Sequence, residues 1–202
     1  MGFELIVVVI SDKIKCAQLL PDVSRCAHDC NMTSQKDYLE LHRHFQFSYF
    51  LIGLLEMNLR KQVPLALSKR FEGEDTFKWY SGLRLNEQGQ KSLNIALRVN
   101  RNFPENYLPF SFWRYLLSNK NYGPLWLPTL HTIFPAIESP RKINSFRAID
   151  KNMDTALRLR NNVAHFNMDA AKHMHFSQER VKWLLINLGV DASLLIQPGR
   201  RV

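Results

Sequence analysis

From Asp37 to about Leu59, apolar residues return at spacings of four to six (Leu41, Phe45, Leu51, Leu55, Leu59) among good helix formers, and this predicts a long central helix. The constraint reaches beyond the segment. A helix with one apolar stripe must bury it against other elements, and nowhere does the chain alternate apolar and polar residues over a strand's length. Its partners must be helices. Ser34 is placed to cap the start, and Pro64 is expected to end or kink the helix, because proline lacks the N–H that the ladder needs.

The rest of the chain supplies those partners. Gln88 to Val99 has helical spacing, with Arg98 and Arg101 near its end and a break at Pro104. Leu108 to Ser118 follows, with Phe110, Trp113, Leu116 and Leu117 on one face. Asn121-Tyr122-Gly123-Pro124 reads as a turn whose proline opens a short helix to Ile133. Ser139-Pro140-Arg141 has the form of a helix start, with serine as cap, for a helix running through Phe166. After a loop over 168–175, a last helix is expected from Ser177 to about Leu188, stopped by Gly189. Between the first two helices, residues 71–86 read as a loop carrying Phe77, Trp79 and Tyr80 beside Lys78 and Arg84. Such aromatics either stack on bases or pack the loop onto the body. The expectation is an all-α helical bundle over residues 37–190, with an N-terminal extension, 1–36, and a C-terminal tail, 191–202. With 202 residues, 46% of them hydrophobic, the chain can bury a real core.

The sharpest chemical signal is Leu157-Arg158-Leu159-Arg160-Asn161-Asn162-Val163-Ala164-His165. At about 100° per residue, Ile149, Met153, Ala156, Leu157, Leu159, Val163, Ala164 and Phe166 form an apolar arc, and Asp154, Arg158, Asn161, Asn162 and His165 the polar one. Asn161 and His165 are one turn apart and can touch. Arg160 projects from the apolar arc, roughly 140° from His165. A guanidinium there must be paired or must reach a shared surface. Two readings stand. Glu56, lying in an otherwise apolar run, could hold Arg160 from inside, or this face could meet another subunit; Glu56 could equally pair with Arg60, four residues along its own helix.

Arg160-Asn161, three residues, then His165 resembles the R-N-x-x-x-H signature of the HEPN superfamily, all-helical proteins that include many metal-independent RNases of prokaryotic immunity and toxin systems. Tyr107-Leu108-Pro109-Phe110, Trp113, Leu116-Leu117-Ser118 and Tyr122-Gly123-Pro124-Leu125-Trp126 resemble the middle of its Abi-like (abortive infection) family, in the same order before the motif. The likeness covers roughly residues 37–190. It implies a HEPN-like bundle that cleaves RNA through the substrate's own 2′-hydroxyl, at a composite site in a homodimer, with no metal or other cofactor. Arg160, Asn161 and His165 would be the catalytic residues and Glu56 would orient Arg160. Arg158 and Arg147 would bind substrate, and an antitoxin or other regulatory protein could restrain the activity. Some HEPN toxins carry a tyrosine two residues after the histidine as a nucleotidylation target; Asn167 stands there, so that route is not expected. The motif favours Arg160 as the key cation, while the helical wheel favours Arg158, seven residues before His165 and on its face.

A formal charge of +9 favours a polyanionic partner, nucleic acid before a membrane surface, since no basic amphipathic anchor is evident. Three cysteines make no disulfide framework and fit a reducing cytosol. Cys26 and Cys30 around His28, with Cys16 upstream, lack the spacing of a zinc knuckle, and His173 and His175 read as solvated loop residues. Phe3 to Ile10 has no basic lead-in, Ile6 sits where an acylation signal wants Ser or Thr, and Phe45 to Leu59 contains Gln46, Ser48, Glu56 and Asn58. A cytoplasmic location without a membrane partner is the expectation. A module that grips RNA, a nucleotide or a partner without cutting would use the same charge and pocket. A third, structural reading makes His165 only a cation near a helix C-terminus, favourable to the dipole and chemically idle.

Overall fold

The computed structural model describes residues 35–70, 78–117, 119–167 and 171–196. The expectations placed on Cys16, Cys26, His28, Cys30, the Ser34 cap and Phe77 lie outside them. Among the described residues the regular structure is helical throughout, with no strand: the protein is all-α. The chain divides into two compact units, residues 1–42 and 43–202; of the first, only 35–42 are described, and they are helical.

The first helix, α1 (Gln35–Arg70), is longer than its sequence pattern predicts, because it continues through Pro64. Proline inside a helix costs ~3 kcal/mol. Here it is outweighed by burial on either side, since Val63, Ala66 and Leu67 all lie in the core with Leu51, Leu55 and Leu59. Arg60 gives α1 a second anchor. Its guanidinium donates to Glu56 Oε1 at 2.6 Å and to the carbonyls of Asn106 (2.7 Å) and Leu108 (3.0 Å), and so pins the segment leading into the next helices.

The short helix α2 (Glu87–Val99) matches its pattern, with Asn86 accepting from the Gly89 N–H as cap. After a 3₁₀ turn (Pro104–Tyr107) comes α3 (Phe110–Leu116), whose buried Phe110, Phe112, Trp113 and Leu116 bear out its reading as core. Trp79 is buried too, its ring stacked on Trp113 with centroids 6.0 Å apart. It packs its loop onto the body.

At Asn121 the sequence predicts a turn with Pro124 opening a helix; the chain instead widens into a π-helical turn (Tyr122–Trp126) that runs on into α4 (Leu127–Ile133). The buried Asn121 side chain bonds the carbonyls of Arg84 (3.2 Å) and Leu116 (3.1 Å), and the Trp126 indole donates to Leu116 O at 2.9 Å. Those bonds hold the wide turn through a proline that offers no N–H of its own.

Two other boundaries differ from expectation. Ser139 is not a cap: its φ is +50°, its carbonyl closes a turn with the Lys142 N–H at 2.9 Å, and α5 (Ile143–Ala164) begins after Lys142. Helix α6 (Ala171–Asn187) starts about two turns early, so His173 and His175 lie on it, exposed, on either side of the buried Met174. Ser177 is mid-helix, its hydroxyl bonded back to His173 O at 3.1 Å. Gly189 ends α6 as predicted, at φ +84°, with Gly189 N–H on Ile186 O (2.9 Å) and Val190 N–H on Leu185 O (3.0 Å). A 3₁₀ turn (Ala192–Leu195) follows.

Helix α5 packs along α6 and against α3. The buried Gln178 of α6 reaches α1 through Ser48 Oγ (2.9 Å) and His44 O (3.1 Å). Among the described residues no helix is long and apolar enough to cross a membrane.

Candidate functional site

Arg158, Arg160 and Asn161 occupy the last two turns of α5, and His165 is its C-cap. The face that α5 buries is Phe146, Ile149, Met153, Ala156, Leu159 and Val163, spaced three or four apart as the periodicity predicts. On this wheel Arg160 lies within about 20° of Ile149 and Met153. Both of those are 0% exposed, yet Arg160 is exposed. The line that α5 buries at Ile149 and Met153 is therefore solvent-facing at Arg160, and of the two readings of this cation the internal pair with Glu56 does not hold.

Among the described residues no carboxylate pairs with Arg160; its Nη1 donates to Asn161 Oδ1 at 3.3 Å. Asn161 thus engages the guanidinium with its side chain and His165 only through its backbone carbonyl, which accepts the His165 N–H at 3.1 Å. The imidazole is exposed and makes no hydrogen bond among the described residues.

The other residues separate. Arg158, 78% exposed on the His165 side, is held by Asp154 one turn back. Arg147 is exposed but thirteen residues before Arg160, roughly 20 Å along the helix axis, and does not join the cluster. Glu56 is engaged by Arg60, the local i,i+4 alternative, and makes no bond to Arg160. Its effect is to steady the Arg60 anchor rather than the motif arginine.

Asp154 belongs to a charged chain that the sequence reading did not assemble. Arg114 of α3 lies 2.7 Å from Asp150 Oδ1, in ion contact without hydrogen-bond alignment, and 3.4 Å from Asp154 Oδ1. Burial pushes the Asp150 carboxyl above the usual carboxylate range, Arg114 pulls it back and Asp154 adds a further push upward. A raised carboxylate pKa means that the folded state holds the proton more tightly than the unfolded one. Stability then falls as pH rises from the ordinary carboxylate pKa through the raised one, and stays lower above it. Asp150→Asn should remove that decline from a plot of urea midpoint against pH; a variant that keeps the decline would place its origin elsewhere.

Beyond His165 the helix ends in a Schellman motif, with Phe166 N–H on Val163 O (3.3 Å) and Asn167 N–H on Asn162 O (2.9 Å). The sequence pattern carries Phe166 within the helix. In the structure it lies past the cap, at φ +48°, where a residue with a β-carbon is strained by ~1–2 kcal/mol. Its ring meets Phe45 of α1 at a centroid distance of 5.7 Å and remains 58% exposed. No glycine marks this stop, so only the turn geometry reveals it.

Compared with known protein families, with curated proteins and with solved structures, the chain matches none.

Proposed function

We propose that the protein is a metal-independent endoribonuclease of the HEPN type, of the Abi-like kind, acting in phage defence or as a toxin through a site shared by two copies of the chain. The observation that carries the reading is the exposure of Arg160. A permanently charged fork on a line that is otherwise core-facing, with no carboxylate partner among the described residues, suits a phosphodiester at a seam between two helices. His165 lies around the helix from Arg160 by roughly 140°, so a cleft that uses both is most simply built by two-fold pairing, where each copy contributes to the same phosphate.

In that cleft the substrate's 2′-hydroxyl attacks the adjacent phosphorus while an imidazole takes its proton. Arg160 holds the non-bridging oxygens as charge develops on the phosphorane, steadied by Asn161. The 5′-oxygen leaves with the proton that this imidazole has taken up, giving a 2′,3′-cyclic phosphate and a 5′-hydroxyl. Single-stranded RNA incubated with purified protein in excess EDTA should yield fragments with cyclic phosphate ends, and intact RNA would refute the nuclease reading. One observation favours a second reading, a module that binds RNA, a nucleotide or a partner without cutting. Among the described residues nothing fixes the His165 tautomer, as an orienting group does in most nucleophile and base pairs. In that case RNA would be bound and remain whole.

A further inference from the structure

The chain ends two helices with the same pair of Schellman hydrogen bonds, yet fills the left-handed position differently. At the end of α6 the residue is Gly189, which adopts φ +84° without a β-carbon penalty; at the end of α5 it is Phe166 at φ +48°. Burial does not account for the choice, because the ring touches Phe45 yet stays more than half exposed. A strained residue held in place by its surroundings is a reason to look for function there. Phe166 directly follows His165, the C-cap of α5, and stands six residues from Arg160.

We infer that Phe166 is a stacking platform for an unpaired nucleobase beside the bound phosphate. The inference rests on the nuclease reading above. An exposed aromatic face can take any unpaired base, whereas bases in a duplex already have both faces stacked. The turn aims the ring outward while Phe45 supports one side. Glycine there would relax the backbone and remove the platform.

The test is fluorescence anisotropy with a short labelled oligoribonucleotide, 2′-O-methylated so that it cannot be cleaved, offered single-stranded and as a duplex. Phe166→Leu keeps an apolar cover on Phe45 but has no π-face, and should lose roughly 5- to 150-fold in affinity for the single strand. Phe166→Gly, which eases the cap, should lose as much, and Phe166→Trp should bind like the native chain. The loss should be the same at low and high salt, because stacking releases no counterions. Native affinity in the Leu and Gly variants, or a duplex bound as tightly as the single strand, would overturn the platform while leaving the nuclease intact. A native chain that binds no RNA at all would remove both.

Discussion

Replacing His165 by Ala should slow RNA cleavage by ~10²–10⁴-fold, the usual worth of a positioned acid or base, while leaving RNA affinity close to native. The structure supports such a clean separation. The imidazole is exposed and supports no hydrogen bond among the described residues, so its removal leaves no buried group without a partner. The stability cost should be ~1 kcal/mol at most, from the lost cation at a helix C-terminus. Single-turnover cleavage, RNA affinity and thermal melting measured on the same preparation distinguish the roles. A variant that loses stability but cleaves at the native rate would reduce His165 to a helix-end charge.

Arg160→Ala should cost ~10²–10³-fold in turnover, the scale for removing one donor to a developing oxyanion. It should also lower the slope of log affinity against log salt by about 1, as one phosphate contact is lost. Arg158→Ala should do much less, because that guanidinium is already held by Asp154 and would have to give up its partner to reach a phosphate. The comparison decides between the motif and the helical wheel, which point to different arginines. Arg160→Lys should restore part of the binding but not the full rate, since an ammonium is a point charge and cannot present the bidentate fork. Equal losses at Arg158 and Arg160 would leave the motif with no special claim.

Local physics carried much of this into the sequence. The apolar spacing of α2 and the buried line of α5 can be read directly, because burial on one face leaves a three-to-four residue rhythm. Gly189 announces its own turn. What could not be read was set by distant partners. Pro64 fails to stop α1 because the residues around it are packed from other elements. Pro124 sits in a π turn because Asn121 and Trp126 both fasten to Leu116 O. The site divides in the same way. The pairs Arg158 with Asp154 and Arg60 with Glu56 are four residues apart and follow from helix geometry, but that Arg160 is exposed on an otherwise core-facing line is a property of packing, invisible in a wheel. Phe166 was missed for a third reason: its residue type argues against the conformation it adopts.

The most direct test of a site shared between two copies is complementation. Arg160→Ala and His165→Ala chains, each inactive alone, are mixed under conditions that allow subunits to exchange, and cleavage of single-stranded RNA is followed in EDTA. A shared cleft predicts that activity returns, because a mixed pair contains one intact arginine and one intact histidine facing the same phosphate. A mixture that forms mixed pairs by mass spectrometry and stays as inactive as its parts, beside an active native chain, would contradict it.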